Sequence, residues 1–216
     1  MIGIIKKSIR DIFSIDVIYF ILKISIISIL LAILLIPIYT PIAMLVAMIL
    51  SWFSFIGETN ATGVTYFVTY LIFTVFVSIF SALYSEKLII KVAKKRYPHI
   101  EVVGKPKISV SILITLKSSA IFISILLISL PFLFVPILGQ IIMLYLWSIL
   151  LREVTIYEVG KLFINDKAIL KAKRKKSRLI AIIASSLNYI PILNIFAPIF
   201  AQILFLHHIL KDNSQN

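Results

Sequence analysis

Two polar residues beside long apolar stretches have the chemistry to hold a small oxyanion. Arg152 carries a planar guanidinium that can donate two parallel hydrogen bonds to such an anion. Asn194 lies where a broken helix would resume, and a helix start offers unpaired N–H groups and a partial positive charge. Pro136 to Gln140 would begin a second such helix. These residues predict anion binding; the alternative for Arg152 is an ion pair with Glu153 or Glu158 at the membrane interface.

Residues that could support catalysis or bind a metal form no recognisable motif. The chain lacks H-E-x-x-H, G-x-S-x-G and the phosphate-cradling G-x-x-x-x-G-K. It has no cysteine, which excludes disulfides and thiolate chemistry. His207 and His208 are adjacent and would point about 100° apart on a helix, so we interpret them as polar residues at headgroup depth. We therefore predict that the protein is not an enzyme and uses no cofactor or metal.

The element that must position Asn194 is an uncharged stretch from Leu179 to Leu210. It is longer than the roughly 20 residues that one membrane helix needs. Pro191 and Pro198 break it near its middle, so each half is about 12 residues, or ~18 Å of helix, too short to cross a bilayer. The sequence predicts a helical hairpin over residues 179–211 that enters and leaves the membrane on one side. The alternative is a single kinked spanning helix.

Asn194 is predicted to cap the second half of this hairpin, because Asn is among the best N-cap residues. Pro198 would then be the fourth helical residue, where a missing N–H loses no helical hydrogen bond. Pro191 would end the first half, since the residue before a proline avoids the α region.

A second uncharged run, residues 118–151, is broken in a similar way. Pro131, Pro136 and Gly139 divide it into halves of about 13 and 15 residues, again too short to cross. A second hairpin is therefore predicted over residues 108–158. Two such hairpins form a weak internal repeat of a kind that transporters often show.

Residues 1–14 predict an amphipathic helix that lies at the membrane interface. Isoleucines at helical spacing form one face, and the charged side chains lie off that face. The face comprises Ile2, Ile5, Ile9 and Ile12, and the charged residues are Lys6, Lys7, Arg10 and Asp11.

Two full membrane spans are predicted between this helix and the first hairpin. Residues 17–56 hold the first span, either as one long helix kinked at Pro37 and Pro41 or as a span followed by a partial one. Residues 66–96 hold the second span, whose last part is basic. Gly57 to Thr65 contains no Lys or Arg and is predicted to be an external loop.

Composition assigns the chain to the membrane proteins. Of its 216 residues, 61% are hydrophobic and 14% charged, whereas a soluble domain has about 25% charged residues. We predict a single all-α integral membrane domain, residues 1–216. The net charge of +13 does not indicate nucleic-acid binding, because the basic residues flank apolar runs, where orientation signals lie.

The basic segments also predict the topology. Placing all of them in the cytoplasm requires two full spans and then an even number of crossings, and two hairpins that return to the same side satisfy this rule. Two tight pairs of full spans in place of the hairpins would satisfy the same rule. Both termini are then cytoplasmic. Re-entrant turns leave backbone groups at membrane depth that other protein must cover, so we predict a homo-oligomer in the lipid bilayer.

The spacing P-x-x-N-x-x-A-P, with a histidine nine residues after the second proline, resembles the C-terminal part of a known family. That family is the CysZ sulfate permeases, the bacterial branch of the etoposide-induced-protein family. The matching residues are Pro191, Asn194, Ala197, Pro198 and His207. The Arg152–Glu153 pair and the basic run 171–178 are similar in order and position. The resemblance covers about residues 137–211.

The resemblance implies an oligomeric sulfate permease of a bacterial inner membrane, with two full spans and partially inserted helical pairs. It also implies a sulfate site at a Gly-Leu-Arg motif just before the first span. The corresponding stretch of this chain, Phe13 to Val17, reads FSIDV and carries Asp16 but no arginine. A carboxylate repels sulfate, so the nearby Arg10 is the candidate to take the place of the missing arginine.

Two functions remain as hypotheses. The first is a permease for a small inorganic anion, sulfate by resemblance, that uses the N-termini of broken helices. The second is a non-transport membrane scaffold or lipid-organising protein of the same fold. The paired broken hairpins favour the permease, and the departure at residues 13–17 favours the scaffold.

Overall fold

The computed structural model describes residues 1–51, 61–133, 135–190 and 193–211. Every regular element in these ranges is a helix, which confirms the all-α prediction. Residues 57–60 of the predicted external loop lie outside the described residues, and so does Pro191.

In chain order, the α-helices of these ranges are α1 (Ile2–Ile12), α2 (Ile15–Leu34), α3 (Ile36–Ser51), α4 (Ala61–Arg96), α5 (Ile108–Leu133), α6 (Leu138–Phe163), α7 (Lys167–Lys176), α8 (Arg178–Ser186) and α9 (Ala197–Leu210). Two 3₁₀ turns, Leu187–Tyr189 and Leu193–Phe196, lie between α8 and α9.

Five segments of the described chain are long and apolar enough to cross a membrane, as expected for a multi-pass membrane protein. They are Ile15–Leu34, Val68–Arg96, Ile108–Ser129, Leu138–Phe163 and Leu193–Leu210.

The contacts divide the chain into two compact units. One comprises Tyr19–Tyr84, and the other comprises Met1–Ile18 together with Ser85–Asn216. In the first unit the Tyr39 hydroxyl lies 2.6 Å from Thr69 Oγ1, which links α3 to α4. The same hydroxyl donates to the Ala32 carbonyl at 3.3 Å, across the break that separates α2 from α3. Polar side chains thus bond between helices, as in other membrane bundles.

Helix α9 is the core of the second unit. Every residue from Ala197 to Leu210 is buried except Pro198 and His208, and α9 packs against α1, α6 and α8. A helix that is apolar on nearly all sides is expected to be buried on all sides, so its sequence accounts for this position.

The helices of the first predicted hairpin differ from the expectation in length. α5 and α6 have 26 residues each and are therefore longer than the uncharged halves of about 13 and 15 residues from which the hairpin was predicted. The uncharged run ends at Lys117 and Arg152, but a charged residue does not end a helix. Of the three residues predicted to break the run, only Pro136 lies in the break, whereas Pro131 lies inside α5 and Gly139 in the first turn of α6.

This break is a tight turn. Ile137 has a φ of 67°, in the left-handed region. A Cβ on Gly139 would collide with the Leu133 carbonyl, so only glycine fits this close approach of two backbone segments.

The second predicted hairpin is also broken at its centre, into α8 of 9 residues and α9 of 14 residues. The predicted role of Asn194 as N-cap is wrong. Asn194 lies inside the second 3₁₀ turn, its N–H donates to the Ile190 carbonyl at 3.0 Å, and the N-cap residue is Phe196, without a side-chain cap. The turn delays the helix start, so Pro198 is the second helical residue instead of the fourth; its missing N–H still costs nothing there.

The face of α1 that packs against the protein also differs from the predicted apolar face. Ile4, Ser8, Asp11 and Ile12 are buried, and α1 packs on α9. Of the four predicted isoleucines only Ile12 is buried, while Ile2 and Ile9 are exposed. The side of α1 that contacts the protein is the one that carries Asp11, whose partners lie on other helices.

Candidate functional site

Four polar side chains, which we call the Asp11 cluster, meet where α1, the end of α4 and the end of α9 come together. Asp11 Oδ2 accepts a hydrogen bond from His207 Nε2 at 2.9 Å. Asp11 Oδ1 accepts from Arg96 Nε at 2.7 Å and also from Arg96 Nη2. The Tyr97 hydroxyl lies 3.0 Å from His207 Nδ1. Asp11 is 2% exposed and His207 0%, so this is a buried ion pair within a hydrogen-bond network.

Asp11 and Arg96 carry opposite charges in this cluster. Burial raises the pKa of Asp11, but the hydrogen bonds from His207 and Arg96 outweigh it, so the pKa lies below the usual 3.8. Burial, followed by the Asp11 charge, raises the pKa of the Tyr97 hydroxyl, which therefore keeps its proton at neutral pH. The His207 ring can donate from Nε2 to Asp11, while its Nδ1 faces the Tyr97 hydroxyl. The cluster joins three helical elements through one carboxylate.

The His207 side chain is fully buried within the protein, which the interpretation as a polar residue at headgroup depth did not include. His208 has a different partner, and its Nε2 lies 3.0 Å from the Lys173 carbonyl oxygen. The two adjacent histidines therefore point to different neighbours, as the rotation of about 100° per helical residue requires.

A second charged cluster lies on α6. Arg152 Nε and Nη2 donate to Glu153 Oε1 at 3.0 and 2.6 Å, and the Arg174 guanidinium contacts Glu153 Oε2. The side chains of Arg152 and Glu153 are 18% and 12% exposed. The predicted ion pair with Glu153 is thus confirmed, but it is largely buried and is shared with a second arginine from α7.

Further contacts follow α6 toward its start. The Arg178 guanidinium carbon lies 5.9 Å from the ring centroid of Tyr145, and the Tyr189 hydroxyl donates to the Gln140 carbonyl at 2.9 Å. The chain from α7 to the first 3₁₀ turn therefore runs antiparallel to α6. As a result, the break before α6 lies beside the break before α9.

We call Arg152, Arg174 and Arg178 the α6 arginine row. Together with Glu153 it contains three positive charges and one negative charge. The contacts along α6 extend from Glu153 to Gln140, which is 13 residues or about 20 Å. They begin at the arginine row and end beside the two neighbouring breaks. This arrangement can attract an anion by charge and offer guanidinium donors along one helix.

The three candidate binding residues do not form one site. Arg10 is exposed in the last turn of α1, next to Asp11, which contacts His207 near the end of α9. Asn194 precedes the start of α9, so Arg10 lies about 20 Å away from it along that helix. Arg152 lies on α6 in the arginine row. A single small anion cannot contact Arg10 and Asn194 together.

The stretch that departs from the expected arginine motif has its charge compensated. Asp16, in the first turn of α2, contacts Lys91 Nζ at 2.8 Å. Sequence reasoning missed both this pair and the Asp11 cluster, because their partners lie 75 and 196 positions away in the chain.

The sequence model of one protein family matches residues 4–198, and its description is sulfate transporter CysZ/etoposide-induced protein 2.4. No curated protein matches the chain, and no solved structure does. The family match covers most of the 216 residues and includes Asp11, Arg96 and Tyr97, the α6 arginine row and the two breaks, but it ends before His207. The chain belongs to the sulfate transporter CysZ/etoposide-induced protein 2.4 family.

Proposed function

We propose that this protein is a permease for a small inorganic anion, sulfate by family, in a bacterial inner membrane. Family membership supports the general class of sulfate transport. The observation that carries the proposal is the α6 arginine row, which brings three guanidinium groups from α6, α7 and α8 to one side of an apolar helix. Guanidinium groups gathered beside the end of an apolar stretch can attract an anion and bind it by hydrogen bonds.

When no anion is bound, Glu153 holds two of the three arginines of the row. Arg152 and Arg174 both contact this carboxylate, so an arriving sulfate can take over guanidinium donors from it. When sulfate replaces Glu153 as the anionic partner, the buried Arg152 guanidinium keeps an ion pair. Losing that ion pair without replacement would cost free energy. The row therefore suits an anion that binds and leaves.

The two helix starts extend the proposed path. α6 begins at Leu138 and α9 at Ala197, both directly after a break. Each start directs unpaired N–H groups and a partial positive charge away from its helix. The two breaks lie side by side, so an anion that leaves the end of the row next reaches the positive region at the two helix starts. Asn194 lies in this region.

We further propose that the hairpins are partially inserted and that the chain has two full spans. The uncharged parts of α5 and α6, residues 118–133 and 138–151, are about 24 and 21 Å long, which is short of the ~30 Å hydrocarbon layer. The charged parts of the same helices then project into the cytoplasm. Covering both turns requires other copies of the chain, which supports a homo-oligomer.

Sulfate binding tests this site. Arg174→Gln and Arg178→Gln each remove one guanidinium while leaving the apolar surface of α6 unchanged. A hydrogen bond to a charged group contributes about 1.5–3 kcal/mol, so each variant should weaken sulfate binding at least about tenfold in calorimetry of the purified protein. Lys175→Gln is the matched control, since it removes an exposed charge on α7. Equal affinity in all four proteins would refute the proposed site.

One observation favours the second candidate, a membrane scaffold or lipid-organising protein. The stretch at residues 13–17 holds Asp16 in a pair with Lys91, so no unpaired arginine precedes the first span there. A scaffold would bind no sulfate, and its arginine variants would alter assembly or stability alone. The same calorimetry therefore separates the two functions.

A further inference from the structure

The outward face of α1 carries a groove with a definite chemistry. Ile2, Ile5, Lys6 and Ile9 line a shallow open cavity of about 230 Å³; we call it the α1 groove. Ile2 is 84% exposed and Ile9 46%. These positions follow i, i+3 and i+7 and therefore form a single stripe along the helix. The stripe lies on a different side from Ile4, Ser8 and Asp11, which are buried.

The charge around the groove has one sign. Lys6, Lys7 and Arg10 are exposed on α1. The only acidic residue of this helix, Asp11, is turned inward and neutralised by Arg96 and His207. The outward surface of α1 therefore presents three positive charges beside an apolar stripe.

The Asp11 cluster holds this surface in place. Its hydrogen bonds fix α1 to α4 and α9, and the Lys7 ammonium lies 5.9 Å from the ring centroid of Tyr97, next to His207. A ligand of the groove would meet a helix that is already ordered, which lowers the entropic cost of binding.

We propose that the α1 groove is a binding site for one anionic phospholipid of the surrounding membrane. The acyl chain would lie along Ile2, Ile5 and Ile9, and the headgroup phosphate would contact Lys6 and Arg10. Cationic side chains with apolar stems suit this boundary, because the stem packs on the chain while the charge reaches the headgroup. A second copy of the protein fits the groove poorly, since it would bring three positive charges against three. The site does not depend on the proposed sulfate transport.

Native mass spectrometry of the delipidated full-length protein can count bound lipids. Phosphatidylglycerol, which is anionic, should bind more tightly than zwitterionic phosphatidylethanolamine. One basic residue near an anionic lipid surface contributes about 1 kcal/mol, or roughly fivefold in affinity, so Lys6→Gln with Arg10→Gln should weaken phosphatidylglycerol about 25-fold. Ile9→Ser should weaken both lipids and leave their ratio unchanged.

Lys175→Gln with Lys176→Gln is the matched control, because it removes two exposed charges from α7 instead of α1. That variant should bind phosphatidylglycerol like the parent protein. Equal binding of the two lipids by the parent, or equal losses in the α1 and α7 variants, would overturn the proposal. It would also be overturned if the α1 variants changed the number of protein copies per particle and left lipid binding unchanged, since the groove would then be an interface between copies.

Discussion

Two aspartates near the N-terminus of this chain differ sharply in what their charges contribute. Asp11 is 2% exposed and is held by Arg96 and His207. Asp16 pairs with Lys91, whose side chain is 63% exposed. Water screens the second pair and not the first, so a similar substitution should have different effects at the two positions.

Asp11→Asn should strongly destabilise the protein. The amide cannot compensate Arg96 or fully accept from His207, and breaking a buried pair costs about 3–5 kcal/mol. Asp16→Asn is the control and should cost less than about 1 kcal/mol. Thermal unfolding in mild detergent measures both. Similar melting temperatures for the two variants would show that the Asp11 cluster does not hold α1 in place.

The lowered pKa of Asp11 predicts how this contribution depends on pH. The folded state favours the ionised carboxylate, so the stabilisation is complete above the unfolded pKa of 3.8 and is lost as the pH falls through the lower folded value. The difference in melting temperature between the parent and Asp11→Asn should be constant above about pH 5 and shrink below pH 4. His207, Arg96 and Tyr97 face this carboxyl and are present in both proteins. A difference that grew on acidification would contradict the assignment.

For single residues, the sequence predicted contacts between neighbours in the chain better than contacts between distant residues. Arg152 was expected to pair with Glu153, its neighbour in the chain, and it does. His207 and Asp11 are 196 positions apart, and no local pattern signals that contact. For the same reason, the sequence did not show that the side of α1 with Asp11 packs against the protein.

At the scale of helices, the breaks decide how the candidate path is built. The turn between α5 and α6 depends on one small residue, since a side chain at Gly139 would meet the Leu133 carbonyl. That turn lies beside the break before α9, to which Tyr189 and Gln140 connect it. A substitution that distorts the turn between α5 and α6 should therefore also disturb the break before α9.

Gly139→Ala should destabilise the protein, because the backbone of Leu133 cannot yield as a flexible side chain would. Overpacking of this kind typically costs about 1–3 kcal/mol. Gly3→Ala in α1 is the matched control, since nothing lies within 4 Å of its added Cβ and alanine favours the helix by up to about 1 kcal/mol. Chemical unfolding followed by circular dichroism compares them. Equal stability of both variants would mean that the turn is wider than described.

Proline positions predicted the helix breaks only in part. Pro136 lies in the break before α6, whereas Pro131 lies inside α5. The prolines also did not predict where the next helix begins. The 3₁₀ turn around Asn194 moves the start of α9 to Ala197, and this turn contacts the first 3₁₀ turn, Leu187–Tyr189. Helix lengths were underestimated where charged residues continue a helix beyond the apolar run, as in α6.

For the whole molecule, the membrane class, the all-helical fold and the family could be inferred from composition and one motif. The relation of the hairpins to the bilayer is a proposal, and its test uses the absence of native cysteine. Single cysteines at Thr59, Ile137 and Lys176 can be exposed to a membrane-impermeant thiol reagent on intact cells. On this proposal only position 59 should react, because the turn at 137 would end inside the membrane and position 176 would face the cytoplasm. Labelling at 137 would show that α5 and α6 cross fully, and equal labelling at 59 and 176 would contradict a single orientation.

Sulfate transport along the α6 arginine row is the main proposal for this protein. Uptake of radiolabelled sulfate into vesicles that contain only the purified protein measures it most directly. The parent protein should exceed protein-free vesicles, Arg174→Gln with Arg178→Gln should fall to about a tenth or less, and Lys175→Gln with Lys176→Gln should retain most of the activity. Uptake by the parent no greater than by empty vesicles, or full uptake by the double arginine variant, would contradict this account.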